Sequence, residues 1–149
     1  MDFPDFSDTD EAVVQFHSAD IDFELPDIES TASWVINTIL AENKQLEFLN
    51  FIFCNDSYLH KINVKFLDHD TLTDVITFPY SELDQPIEGD IYISIDRIKE
   101  NATTFKASFH KELKRVMIHG VLHLCGYGDK SKREKLLMRE KEDFYLNQQ

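Results

Sequence analysis

The stretch KELKRVMIHGVLHLCG, residues 111–126, constrains the fold of this chain more than any other. Leu113, Met117, Val121 and Leu124 recur in it at helical spacing, so a helix here has one side that must be buried. Gly126 follows the last apolar residue, where helices commonly end on a left-handed glycine. Such a helix belongs at the centre of a fold. It also carries His119 and His123, four residues and about 40° apart around the axis, so both imidazoles project from one face.

The rest of the chain supplies partners for this helix. AVVQFHSADIDFEL (12–25) reads as two short strands about a turn near Ser18–Asp20. ESTASWVINTILAENK (29–44) sets Trp34, Val35, Ile39 and Leu40 at helical spacing, with Ser30 or Thr31 as N-cap. LEFLNFIFC (46–54) alternates and then runs apolar, as a buried strand does. NDSYLHKINVKFL (55–67) predicts a helix capped by Asn55 or Asp56. TDVITFPY (73–80) is β-branched and aromatic, a strand stopped by Pro79. GDIYISIDR (89–97) alternates Ile91, Ile93 and Ile95 with Tyr92, Ser94 and Asp96, a half-buried strand. From Ile98 to Leu124 the pattern is helical in two pieces, broken near Ala107–Ser108, and a last helix covers 131–146. Strands and helices mix without strict βαβ alternation. The fold class is therefore α+β, a small mixed sheet of about four strands packed with helices. A length of 149 residues fits one domain, 1–149, with a real core.

Beyond Gly126 the chain turns through Tyr127 and Gly128, and Asp129 can fold back toward the two imidazoles. Two histidines and one carboxylate leave positions open on a zinc-like ion, the condition of a catalytic rather than a structural site. A lone helical histidine is usually no ligand; the pair, the helix-ending glycine and the trailing carboxylate make a stronger pattern. His17, His60, His69 and His110 lack such spacing and read as surface or satisfied groups. Cys125 projects about 160° from His123 and reads as a small buried apolar residue. Zinc proteases of the H-E-x-x-H type place a glutamate directly after the first histidine; here that position is Gly120. A metal still draws the pKa of a bound water toward about 7 and polarises a phosphoryl oxygen. The pattern indicates hydrolysis without the usual proteolytic base.

A net charge of −13 argues against a bulk nucleic-acid coat. The charge is uneven: residues 1–50 hold 12 acids against Lys44 alone, whereas 101–149 hold six acids against ten bases. The histidine motif lies in that basic third, where a local field can favour a polyanion, although a solvated helix face has the same composition. Cys54 and Cys125 form no C-x-x-C pair, so no disulfide framework is indicated. No run approaches the roughly 18 apolar residues of a membrane span. MDFPDFSDTDEAV lacks the basic start and apolar stretch of a signal peptide, and a cytoplasmic location is expected.

Taken together, these residues resemble the YbeY family of bacterial endoribonucleases, also called rRNA maturation factors. The family signature H-G-x-L-H-L-x-G-Y-D-H is matched by His119-Gly120-Val121-Leu122-His123-Leu124-Cys125-Gly126-Tyr127-Gly128-Asp129. T-D-V-L-S-F-P is matched by Thr73-Asp74-Val75-Ile76-Thr77-Phe78-Pro79, and a G-D-I strand start by Gly89-Asp90-Ile91. Met138 and Glu142 fit the M-x-x-x-E of the family's last helix. The three main motifs occur in order from about Ile62 to the C-terminus.

The resemblance implies a metal-dependent endonuclease specific for single-stranded RNA, acting with the ribosome in 16S rRNA 3′ maturation and quality control. It implies one zinc per chain held by His119 and His123, with Asp129 in place of the family's third histidine. A carboxylate oxygen replaces an imidazole on zinc readily, with a change in site charge and metal preference. A family arginine that favours RNA falls at Leu67 here, leaving Lys61 or Lys65 as alternative cations. Thr73, Asp74 and Thr77 either line the cleft or simply enter a strand. Arg115, Lys111 and Lys114 either reach substrate phosphate or face solvent. Met138 reads as core, and Glu142 as the partner of a lysine. The rival readings are a zincin-like peptidase and a non-catalytic ribosome-associated module with a structural metal.

Overall fold

The computed structural model describes residues 13–149. Among these residues four strands and five helices follow in the order β1 (Val14–Ser18), α1 (Ile28–Ala41), β2 (Leu46–Cys54), α2 (Asp56–Leu67), β3 (Val75–Pro79), β4 (Ile87–Ser94), α3 (Ile95–Thr104), α4 (Phe109–Leu124) and α5 (Lys132–Leu146). The strands form one mixed sheet in the order β1-β2-β4-β3. β1 and β4 run parallel to β2, with Phe16 opposite Phe51 and Phe51 opposite Ile91; β3 returns antiparallel to β4, with Thr77 opposite Ile91. The class is α+β, as the irregular order of strand and helix patterns predicts.

Alternation divides the sheet into two faces. Leu49, Phe51 and Phe53 of β2 and Ile91 and Ile93 of β4 face the main core. There they meet Ala32, Val35 and Ile39 of α1 and Leu113, Met117 and Val121 of α4. The helix whose pattern demanded burial thus lies on β3 and β4. On the opposite face α2 covers a smaller cluster, Leu59 with Cys54 and Ile76. α5 packs on α4 through buried Met138 and Tyr145, and the Trp34 indole N–H donates to the Tyr145 carbonyl at 2.8 Å, tying α1 to α5.

Three expectations need correction. Of the two strands read over 12–25 only β1 forms among the described residues; residue 12 itself lies outside them. Past Ala19 the backbone enters the left-handed region at Asp20 (φ 58°), and side chains replace the ladder: Asn55 Nδ2 donates to the Asp20 carbonyl at 2.9 Å and Ser18 Oγ to the Phe23 carbonyl at 2.5 Å. Phe23 turns inward instead, edge-on to Phe53 at 5.0 Å and Phe109 at 6.0 Å. The strand expected over 89–97 runs from Ile87 to Ser94, because Ser94 Oγ accepts the Arg97 N–H at 3.2 Å and starts α3. Ile95 keeps the alternation going while already helical. Finally, α1 starts after Asp27, not at Ser30 or Thr31, and Thr31 is buried. Elsewhere β2 spans the expected 46–54, Asn55 caps α2, and Ser108 marks the break between α3 and α4.

Candidate metal centre

The histidine pair sits on the last two turns of α4, facing a cleft beside β3. Gly120, between them in sequence, lies on the adjoining side of the helix, against the sheet. A Cβ there would lie 3.0 Å from two Ile91 atoms and 3.3 Å from Thr77, so glycine lets α4 approach β4 closely. Position 120 is therefore a packing position, which leaves no room for a protease-type glutamate.

α4 ends on Gly126 (φ 109°), and the Tyr127 N–H bonds back to the Leu122 carbonyl at 3.0 Å. This turn aims the Tyr127 carbonyl at His123 Nδ1, 2.8 Å away. The Tyr127 hydroxyl donates to Glu42 Oε1 at 2.6 Å, and Glu42 also takes bonds from Lys141 (3.2 Å) and the Tyr145 hydroxyl. The far end of the loop is pinned by a capping box, in which Ser131 caps α5 and Glu134 accepts the Ser131 N–H at 3.0 Å. Asp129 is held between these two anchors and swings back over the helix end.

One ligand atom each from His119, His123 and Asp129 lies within 4.8 Å of the others. The two Nε2 atoms are 3.0 Å apart, and Asp129 Oδ2 lies 3.3 Å from His119 Nε2 and 3.2 Å from His123 Nε2. An ion with four bonds of about 2.0–2.1 Å needs donor atoms roughly 3.3 Å apart. The protonation pattern fits a cation as well. His119 Nδ1 lies 2.7 Å from Glu142 Oε2 and His123 Nδ1 2.8 Å from a carbonyl, acceptors that both require the proton on Nδ1. That leaves the Nε2 lone pairs and a carboxylate oxygen converging on one point, an arrangement a positive ion relieves.

Glu142 is almost fully buried and sits at the centre of the support. Its Oε1 accepts from Arg115 at 2.9 Å while the second Arg115 nitrogen donates to Asp143 at 2.8 Å. Burial disfavours a charged His119, but Glu142, Asp129 and Asp74 outweigh it and hold its pKa above the usual histidine value. Burial pushes the Asp74 carboxyl up, against the pull of His119.

The trio opens into a cleft of about 650 Å³ whose walls include Thr73, Asp74 and Thr77 from the β3 entry and Leu67 from α2. His69 and Lys130 line it too, two residues that spacing alone did not single out. Thr73 also bonds locally, to the Val75 carbonyl at 3.3 Å. Lys61 is exposed on α2 and is not part of the cleft wall. Arg115 borders the centre with its guanidinium engaged by two carboxylates. Lys114 fits neither sequence reading: only 1% exposed, it bonds Asp27 at 2.8 Å and Thr31 at 2.5 Å. Glu142, read as a lysine's partner, holds Arg115 and His119 instead; its spacing from Met138 was the only signal. Cys125 is buried, with its thiol pushed up to about 12 by burial and Glu42.

A family model described as Endoribonuclease YbeY matches residues 13–149. Endoribonuclease YbeY of Flavobacterium psychrophilum is 60% identical over 124 residues, 83% of this chain and 88% of that one. The Amoebophilus asiaticus protein of the same name is 53% identical over 135 residues, 91% of this chain and 92% of its own. The solution structure of TM1509 from Thermotoga maritima superposes with a TM-score of 0.65 at 29% identity, covering 90% of this chain and 87% of that one.

Proposed function

The chain belongs to the YbeY endoribonuclease family, and on that premise we propose that His119, His123 and Asp129 are the protein ligands of one zinc ion used to hydrolyse single-stranded RNA. The observation that carries the reading is the convergence of three electron-pair donors whose competing proton sites are already committed elsewhere. When bound, a divalent ion stabilises negative charge on a phosphate and draws the pKa of a water toward about 7. The protein's part is orientation. Glu142 fixes the His119 tautomer, the Tyr127 carbonyl fixes that of His123, and Arg115 holds Glu142 in place. Arg115 therefore acts through Glu142 rather than on RNA. Thr73, Asp74 and Thr77 form the wall along which the substrate lies, with Lys130 as the nearby cation.

The substrate in this reading is the 3′ region of 16S rRNA, met in the cytoplasm on the ribosome, and residues 1–149 act as one hydrolase domain. No helix of the described residues is long and apolar enough to cross a membrane. Proteolysis is disfavoured by the burial of Gly120 against Ile91.

Metal content and RNA cleavage test the reading together. Wild-type protein is expected to hold one zinc per chain and to cut single-stranded RNA. Asp129→Ala should lose or weaken the metal, and His123→Ala should lose cleavage. Undiminished cleavage by His123→Ala would remove the metal role, and full metal retention in Asp129→Ala would send the search for the third ligand elsewhere.

A further inference from the structure

The trio stands between two depressions. One is the cleft already described; the other holds about 360 Å³ between α3, α4 and α5. Asp74, Val75, His119 and Asp129 line both, so the two are continuous through the candidate metal centre. An endonuclease cuts in mid-strand, with nucleotides on both sides of the scissile phosphate, and a strand laid across the trio needs a seat in each depression.

The second depression is lined by Phe105 and Arg139. Phe105 follows the last turn of α3 and is 66% exposed. Of the exposed phenylalanines among the described residues, Phe66 leans on Phe78 at 6.0 Å and Phe144 on Tyr145 at 5.0 Å, whereas Phe105 has no ring neighbour. Its backbone N–H bonds to the Asn101 carbonyl at 2.8 Å. A single exposed ring is ordinary; its place beside the trio is what sets this one apart. Arg139 is 64% exposed and stands 3.9 Å from Glu142, a carboxylate that Arg115 already holds at 2.9 Å. Glu142 is already held by Arg115 and His119, so Arg139 is not its main partner.

We propose that Phe105 and Arg139 seat one nucleotide of single-stranded RNA next to the scissile phosphate, the ring stacking on the base and the guanidinium meeting its phosphate. This rests on the RNA-hydrolase reading above. Stacking on an aromatic face accepts any base but requires it to be unpaired, so the seat selects single strands rather than a sequence.

The test uses purified full-length protein and a short single-stranded RNA carrying 2-aminopurine, read by fluorescence quenching and anisotropy, with KM and kcat measured alongside. Phe105→Leu keeps the apolar bulk and loses the ring; it should bind about ten-fold more weakly, quench less and raise KM, with an unchanged melting temperature. Phe105→Tyr should restore binding. Arg139→Gln should lower the slope of log affinity against log salt by about 0.7, the share of one single-strand phosphate. Wild-type affinity and quenching in Phe105→Leu, in a protein that does bind RNA, would overturn the seat and leave the RNA reading intact. Failure of the wild type itself to bind or cut RNA would overturn both.

Discussion

Glu142 decides which nitrogen of His119 faces the centre. A buried carboxylate 2.7 Å from Nδ1 keeps the proton there and the lone pair on Nε2. Glu142→Gln keeps the shape and removes the charge that pairs with Arg115. Metal affinity should fall by about 10- to 100-fold with the fold retained, as read by competition against a chelating dye; equal affinity would show that Glu142 merely fills space. The cysteines give a second check at this scale. Burial pushes both the Cys54 and Cys125 thiols up to about 12. At pH 8 a thiol reagent should label neither in the folded protein and both after denaturation. Rapid labelling of native protein would place one of them at the surface.

The element that matters most is α4, because one helix meets two incompatible demands. Its sheet-facing side must approach β4 closely, and the adjoining side must hold two imidazoles at the edge of a cleft. Gly120 satisfies the first. Gly120→Ala would gain helix propensity worth about 1 kcal/mol, but the new methyl meets fully buried Ile91 at 3.0 Å, and overpacking costs about 1–3 kcal/mol. The expected result is a net loss, seen as a melting temperature lowered by several degrees together with weaker metal binding as the helix is pushed outward. A melting temperature at or above the wild-type value would mean that Ile91 yields easily. The α4–α5 connection is governed locally instead, by Gly126 and the Ser131–Glu134 capping box, which explains why spacing alone placed Asp129 near the pair.

Across the whole molecule, distant segments are tied by a few polar pairs at the edge of the core. Asp27, at the start of α1, holds Lys114 of α4 across 87 positions of sequence. Burial raises the Asp27 pKa, but the hydrogen bond and charge of Lys114, helped by His110, more than offset it, and the folded value lies below the ordinary one. A depressed carboxylate contributes stability that is present above its unfolded pKa of about 3.9 and is lost as pH falls through the folded value. Asp27→Asn should therefore melt below the wild type at pH 7, and the gap should close below about pH 4. A gap independent of pH would assign the effect to packing rather than to the ion pair.

The residues that form elements locally were legible in the chain: β2, the Asn55 cap, the break near Ser108, the Gly126 stop and the two-histidine face of α4 all follow from periodicity and capping chemistry that act within a few residues. So was the approach of Asp129, because it follows His123 by only six positions. What spacing could not supply was the partner of each charge. Lys114 reads as one more surface cation until α1 folds over it, and Glu142 reads as a surface acid until α5 packs on α4 and brings it to His119. Phe105 and Arg139, 34 residues apart, share a depression only because α3 and α5 both lean on α4. Local sequence determines which elements form, since hydrogen bonding and hydrophobic period are short-range properties. Which charges are buried, paired or left free is decided by tertiary packing, because desolvation and Coulomb energies depend on neighbours in space and not on neighbours in the chain.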